Sequence, residues 1–215
     1  TLSDRGHTVT LFEGSDHLGG QLNFADFASF KSSLAAFKRW LIAQVQRHPI
    51  TIRYGIRPEA RQLSAEGYQV VIAALGAVPV TLSIPGIENA IPAPKIFCDT
   101  PLPGRRITII GGGQVGCESA LFLAQQGKIV TVIEMQPTVL SDASPSYQSR
   151  LLRNITALGD QIQLITDARC ISMGAETCYQ CADGTQHTVC SDHVVLAAGM
   201  KPQTELALSL FDPNY

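Results

Sequence analysis

Residues 106–134, RITIIGGGQVGCESALFLAQQGKIVTVIE, restrict this chain to a narrow set of folds. Ile107, Ile109 and Ile110 form a β-branched run suited to a strand buried on both faces of a parallel sheet. Gly111, Gly113 and Gly116 follow at the spacing G-x-G-x-x-G, ahead of a helical pattern. In that setting the first glycine permits a sharp turn, the second leaves room for a phosphate group beside the backbone, and the third lets the helix pack closely on the sheet. The helix N-terminus then favours an anion through its unpaired N–H groups and the macrodipole. Gly112, Gln114 and Val115, at the intervening positions, belong to the same candidate site. Glu134 closes the next strand 18 residues after Gly116, where this fingerprint expects an acid for ribose hydroxyls. A flexible turn could account for the glycines alone. The strand before them and the helix after them point instead to a dinucleotide-binding unit.

The rest of the chain repeats parts of that unit. Residues 5–15, RGHTVTLFEGS, match residues 126–136, QGKIVTVIEMQ, so that Glu13 falls on Glu134 at an offset of 121. VVIAALGAVP at 70–79 matches VVLAAGMKP at 194–202, and Gly76 falls on Gly199 at an offset of 123. Two matched pairs at nearly one offset indicate two copies of one unit. In the second copy the strand and glycine turn precede Gly127. The same distance before Gly6 falls ahead of Thr1, so the chain is expected to be a fragment that begins inside the first helix of its first domain. The expected fold is α/β, with two Rossmann-like dinucleotide-binding domains built on central parallel sheets with antiparallel β excursions, the first truncated.

With 215 residues, 45% hydrophobic, there is enough chain for two small cores, and a net charge of −2 gives no reason to expect a nucleic-acid partner. No apolar run reaches the roughly 18 residues of a membrane span, and no signal peptide opens the chain. Six cysteines, Cys98, Cys117, Cys170, Cys178, Cys181 and Cys190, are spread through the sequence. That usage suits free thiols in a reducing, cytoplasmic setting.

Within the first copy, after Glu13, Gly19 and Gly20 suit close backbone approach to a ligand or a simple turn. From Asp26, Phe27, Phe30, Leu34, Phe37, Leu41 and Val45 recur at helical spacing, which predicts a long amphipathic helix with this stripe in the core, ended by Pro49. ITIRYG at 50–55 and residues 70–74 read as strands. The prolines from Pro79 to Pro103 suggest an ordered linker. Beyond Glu134 come a helix that Ser144 or Ser146 could cap, the strand QIQLITDA, an antiparallel excursion over 170–189 with a hairpin at Asp183 and Gly184, and a returning strand at 194–198. The resulting domains are 1–103, an incomplete first domain with its linker; 104–202, the complete second domain; and 203–215, the start of a return segment.

The cysteines admit three readings. Cys178 and Cys181 form a C-x-x-C pair, but residues three apart on a strand face opposite ways, which opposes a redox dithiol. Cys170, Cys178, Cys181 and Cys190 could supply four zinc thiolates, although a zinc ribbon would show two C-x-x-C pairs. Packing in strands is the simplest role. Cys117 lies in the helix turn beside the phosphate position, where a lowered thiol pKa is conceivable and packing is favoured. His7, His17, His48, His187 and His193 lack ligand spacing, and no hydrolytic triad is legible. In hydride chemistry the cofactors react and the protein positions them.

HTVTLFEGSDHLGGQLNFA, VVIAALGAVP, the 106–134 stretch and VVLAAGMKPQTELA together resemble the C-terminal half of the old-yellow-enzyme-like NADH:flavin oxidoreductases, the 2,4-dienoyl-CoA reductase and trimethylamine dehydrogenase type. More distantly they are similar to thioredoxin reductase. The resemblance implies an N-terminal barrel on the same parent chain with FMN and an iron–sulfur cluster, and a C-terminal half that holds FAD and receives NAD(H). It implies that Glu13 takes the FAD ribose and that Gly19, Gly20, Gln21 and Gly76 lie near that nucleotide. It further implies that Gly111, Gly112, Gly113, Gln114, Val115 and Gly116 hold the NAD(H) diphosphate, Glu134 its ribose, and that Glu118 and Gly199 lie on the nicotinamide side. The catalytic group is not legible. The family's late Gly-Asp motif and cluster cysteines are absent from these 215 residues. The implied activity is hydride transfer from NADH to FAD in the intact enzyme. The alternatives are a passive ADP-binding module and a disulfide reductase.

Overall fold

The computed structural model describes residues 1–97 and 100–210, so Cys98 and residues 212–215, at which the expected return segment breaks off, lie outside the described residues. Two compact units form: Thr1–Val78 with the described residues that follow Lys201, and Pro79–Lys201.

In the first unit, β1 (Val9–Glu13) leads through α1 (Leu22–Ala25) to α2 (Ser32–Arg47), then β2 (Ile50–Tyr54) and α3 (Ala60–Ala65). β1 and β2 pair in parallel, with Val9 opposite Ile50 and Glu13 opposite Tyr54. α2 stops ahead of Pro49 because the residue before a proline is pushed out of the helical region, and His48 is extended. The expected long helix differs at its start. Asp26 ends α1 and its carboxylate meets Lys38 Nζ of α2 at 2.7 Å, while Ala28 is extended and breaks the helical path.

Two further expectations fail here for one reason. The aromatic stripe does not make a core: α2 has no buried residue, and Phe37, half exposed, stacks on Trp40 with ring centroids 5.9 Å apart. Residues 70–74 form no strand, and Val70 and Ile72 are 77% and 69% exposed. An all-apolar strand is stable between two neighbours, and a two-stranded sheet gives a helix little apolar face to cover. β1 and β2 are the whole of that sheet among the described residues.

The chain leaves the first unit within β3 (Ala77–Pro79), and the proline-dotted stretch that follows packs with the second unit. It carries β4 (Ile91–Pro92) and buries Ala93 and Ile96. β4 is an edge strand, where a proline forfeits no ladder bond. After it come β5 (Arg106–Ile110), α4 (Gln114–Gln125), β6 (Ile129–Ile133), α5 (Pro145–Thr156) and β7 (Ile162–Ile165). The antiparallel excursion is β8 (Ala168–Ser172), β9 (Glu176–Cys181) and β10 (Gln186–Cys190), and β11 (His193–Leu196) returns to the main sheet. The main sheet is five-stranded and parallel in the order β4-β11-β5-β6-β7. β12 (Met200–Pro202), where the chain crosses back, pairs with β3, and α6 (Thr204–Ser209) follows.

Alternation divides the main sheet's two faces. Ile110, Ile133, Val194 and Leu196 pack with Ala168, Cys170 and Met173 of the excursion side. Ile107, Ile109, Val132 and Val195, all fully buried, face the other way, where α4 contributes buried Cys117, Ala120, Leu121 and Ala124. This is the doubly covered α/β sheet that the 106–134 stretch predicts.

The two units share backbone detail as well as sequence. In the second, Gln136 N donates to Glu134 Oε1, Ala168 N to Glu134 O and Asp167 N to Gln136 O. In the first, Ser15 N donates to Glu13 Oε1, Ile56 N to Glu13 O and Gly55 N to Ser15 O. Gly55 and Asp167, at matching places, both have positive φ, 67° and 51°.

One fault in the second core is testable. Thr108, at the sheet's centre, is 1% exposed, and its hydroxyl has no hydrogen-bond partner among the described residues. A buried, unsatisfied hydroxyl is a net cost, so Thr108→Val should stabilise the protein by about 1 kcal/mol. A urea midpoint that rises at constant slope would bear this out.

Candidate functional site

The site is the turn between β5 and α4. Gly111 turns the chain with φ +105°, and a Cβ there would lie 2.4 Å from Ala197 O. A Cβ on Gly116 would lie 1.9 Å from Gly111 O, so only glycine lets α4 sit this close to the turn. Gly113 is the N-cap residue of α4 and makes no side-chain cap, which leaves the first helical N–H groups to other acceptors. Gln114 and Val115 open the helix, and Val115 is exposed.

Glu134 sits behind this turn, 8% exposed. Its Oε2 accepts the N–H of Gly112 and its Oε1 accepts that of Gln136 at 2.7 Å. The carboxylate thus braces the glycine turn, and each oxygen keeps a further lone pair for a ribose hydroxyl. Glu118, 4% exposed on α4, accepts the Tyr147 hydroxyl at 2.6 Å and the Gln114 side-chain amide at 3.0 Å. Burial, with Glu118 as hydrogen-bond partner and neighbouring charge, pushes the Tyr147 phenol well above its ordinary value. Gly199, φ +99°, follows the returning strand two residues after the Ala197 carbonyl that faces Gly111.

In the first unit, Glu13 Oε1 accepts both the N–H and the hydroxyl of Ser15, at 2.9 and 2.8 Å. Gly19 and Gly20 have positive φ, and the Gln21 side-chain amide donates to Ala77 O at 3.0 Å, beside Gly76. Gln21 and Gly76, far apart in sequence, are therefore brought together.

Cys117 takes the packing role favoured from the sequence, and its thiol is not activated. Its thiol is buried and donates to Gly112 O at 3.3 Å. Burial, then the negative charges of Asp142, Glu134 and Glu118, push it up to about 12 rather than down. The helix N-terminus does not prevail over desolvation and three carboxylates. Cys178 and Cys181 both lie on β9, whose register with β10 is regular around Cys178, so their side chains leave opposite faces. They are free thiols, as are Cys117, Cys170 and Cys190. No cluster of metal ligands occurs among the described residues.

Three residues escaped the sequence reading. Asp142 accepts the Gln114 N–H at 2.8 Å, and Tyr147 holds Glu118 from α5. Arg169, with Met135, Asp167, Gln180, Cys181 and Ala182, lines a hollow of about 210 Å³ next to the Glu134 strand end. None lies at a motif spacing, and only the folded path of residues 135–182 brings Asp142 and Tyr147 to α4 and Arg169 to the hollow.

A β-strand, a three-glycine turn, a helix N-terminus and an acid at the next strand end define an α/β dinucleotide-binding protein. The chain belongs to the pyridine nucleotide-disulphide oxidoreductase family, whose sequence pattern matches residues 1–212. It is 32% identical over 214 residues to an NADH oxidase of Thermoanaerobacter brockii, covering 94% of this chain and 32% of the relative. It is 34% identical over 203 residues to a bilirubin reductase of Mediterraneibacter gnavus (strain CC55_001C), covering 93% and 31%. A 2-naphthoyl-CoA reductase in complex with 2-naphthoyl-CoA superposes with a TM-score of 0.86 at 26% identity, covering 97% of this chain and 32% of that one. Histamine dehydrogenase from Rhizobium sp. 4-9, with a TM-score of 0.74 at 18% identity over 97% of this chain and 35% of that one, shares the fold. The resemblance read from the sequence therefore holds. This is a flavin-dependent, NAD(H)-linked oxidoreductase family, and the chain spans about a third of the length of these relatives. No helix among the described residues is long and apolar enough to cross a membrane.

The Cys117 thiol yields a pH prediction. The unfolded chain loses this proton near the ordinary value of 9.0, whereas the folded protein keeps it to about 12. Fewer protons on the unfolded state mean that stability falls as pH rises, by up to about 1.4 kcal/mol per unit within that window. Denaturant titrations from pH 8.5 upward should show this slope, reduced in Cys117→Ala.

Proposed function

We propose that the second unit binds NADH at the 111–116 turn and is the pyridine-nucleotide half of a flavin-dependent oxidoreductase, with the first unit as the FAD-type part. The supporting observation is the cradle itself. Backbone packed at distances that only Gly111 and Gly116 permit opens onto a helix whose N-cap residue offers no side-chain acceptor. That arrangement fits a diphosphate held by backbone N–H groups. When bound, the dinucleotide would supply two-electron redox chemistry through its nicotinamide ring.

The chain's own residues have separable tasks in this reading. Gly113, Gln114 and Val115 present the helix N-terminus to the diphosphate, and Glu134 braces Gly112 while offering its remaining lone pairs to the ribose. Glu118, buried and held by Tyr147 and Gln114, orients the nicotinamide end, and Gly199 leaves space on that side. In the first unit Glu13 would serve the FAD ribose, with Gly19, Gly20, Gln21 and Gly76 close to the same nucleotide. The domains of this reading run 1–103, whose last part is the proline-dotted linker that packs with the second unit, then 104–202 and 203–215. For a parent chain of the relatives' length, the proposal extends to an N-terminal barrel with FMN and an iron–sulfur cluster.

Glu134 should repel a 2′-phosphate, whereas Arg169 lines the hollow beside it. The buried, loop-bound carboxylate outweighs an exposed arginine, so NADH is the ligand. Fluorescence titration of the purified chain should give a Kd for NADH about tenfold or more below that for NADPH. The reverse order would transfer the discrimination to Arg169 and overturn the choice of NADH.

A further inference from the structure

The position at which the proposed function places a diphosphate already has an anion. Asp142 Oδ1 accepts the N–H of Gln114, the first residue of α4, at 2.8 Å. Its other oxygen, Oδ2, lies 3.0 Å from where a Cβ on Gly113 would stand, so the carboxylate rests against the bare backbone of the turn. Asp142 is exposed, which makes it a carboxylate at the mouth of the turn rather than a member of the core.

The segment that carries it is pinned to the same turn. Leu140 N donates to Gly112 O at 2.8 Å, Val139 packs where a side chain on Gly112 would go, and Leu140 is buried with φ +60°. A leucine in the left-handed region is strained. Residues 139–142 therefore form a strap over the glycine turn, held by one backbone hydrogen bond and the packing of Val139, and ending in an acid on the helix N-terminus.

Resting on the dinucleotide reading above, we propose that Asp142 is an internal competitor for the diphosphate position and sets the affinity of this site. Its carboxylate uses the same donor that a diphosphate needs, and two anions cannot share one N–H. Binding requires the Asp142 side chain to release Gln114 N and swing into solvent, which its exposure allows. Glu118 and Glu134 already make the surroundings of the turn acidic, since both add to the negative charge felt by Cys117. Removal of the third carboxylate therefore favours any ligand that brings phosphate and leaves a phosphate-free ligand unaffected.

The test compares the wild-type chain with Asp142→Asn, and with Asp142→Ser as a second neutral cap, all checked for a native circular dichroism spectrum. Titrations with NADH, ADP-ribose and adenosine at low ionic strength should show NADH and ADP-ribose bound about tenfold more tightly by both variants. Adenosine should bind as to wild type. The gain should shrink at 1 M salt, where the screening length falls to about 3 Å. Unchanged or weaker NADH binding by the variants would overturn the inference alone, as would an equal gain for adenosine. Failure of NADH to bind wild type and both variants would overturn the dinucleotide reading and this inference with it.

Discussion

The close approach of α4 to the β5 turn is the contact on which the second unit depends. Gly116 brings helix backbone against Gly111 O where a Cβ would stand at 1.9 Å, and the same turn is wedged under Ala197 O of the returning segment. β5, α4 and the end of β11 are thereby locked around one short loop. The helix axis and its N–H groups then point where they do because no side chain holds them off. Hydrophobic burial supplies the bulk of the stability, but it is non-directional. The glycines decide where the helix end faces.

This part of the molecule was legible in the sequence because its constraints are local. Strand, turn, helix and acid lie within residues 106–134, and each signal agrees with its neighbours. The β8–β9–β10 excursion was legible for the same reason, through alternation and the turn at Asp183 and Gly184. Asp142, Tyr147 and Arg169 were not. Asp142 meets the first N–H of α4, Tyr147 a side chain on α4 and Arg169 the hollow beside the Glu134 strand end, all through tertiary packing, and an acid in a loop or an arginine on a strand carries no spacing signal of its own.

The first unit fails in the opposite direction, through local signals too strong for their surroundings. Residues 70–74 match 194–198 almost residue for residue, yet the latter supply most of β11, flanked by β4 and β5, and the former form no strand and stay exposed. A continuous apolar run specifies a strand only if ladder partners stand on both sides. The stripe on α2 tells the same story, since periodicity shows which face a helix would bury and not whether there is a surface to bury it on. The first turn of this copy survives in detail all the same. Gly55 and Ser15 close it with the hydrogen-bond pattern of Asp167 and Gln136, because those bonds depend on neighbouring strands alone.

The paired acids separate two duties that one motif combines. Glu134 divides its oxygens between Gly112 N and Gln136 N, so it is a structural brace whatever it later binds. Glu13 places both of its described bonds on one oxygen, through Ser15. An acid at this strand end is thus not by itself a statement about nucleotide choice. It is required first because a glycine turn has no side chains to hold it in place, and a carboxylate that accepts a backbone N–H is among the stronger ways to fix one. On the proposed reading, preference between dinucleotides follows from what remains of that carboxylate after bracing, set against the charges that the fold brings beside it. In this chain those are Asp142 at the helix end and Arg169 at the hollow, neither of which the motif contains.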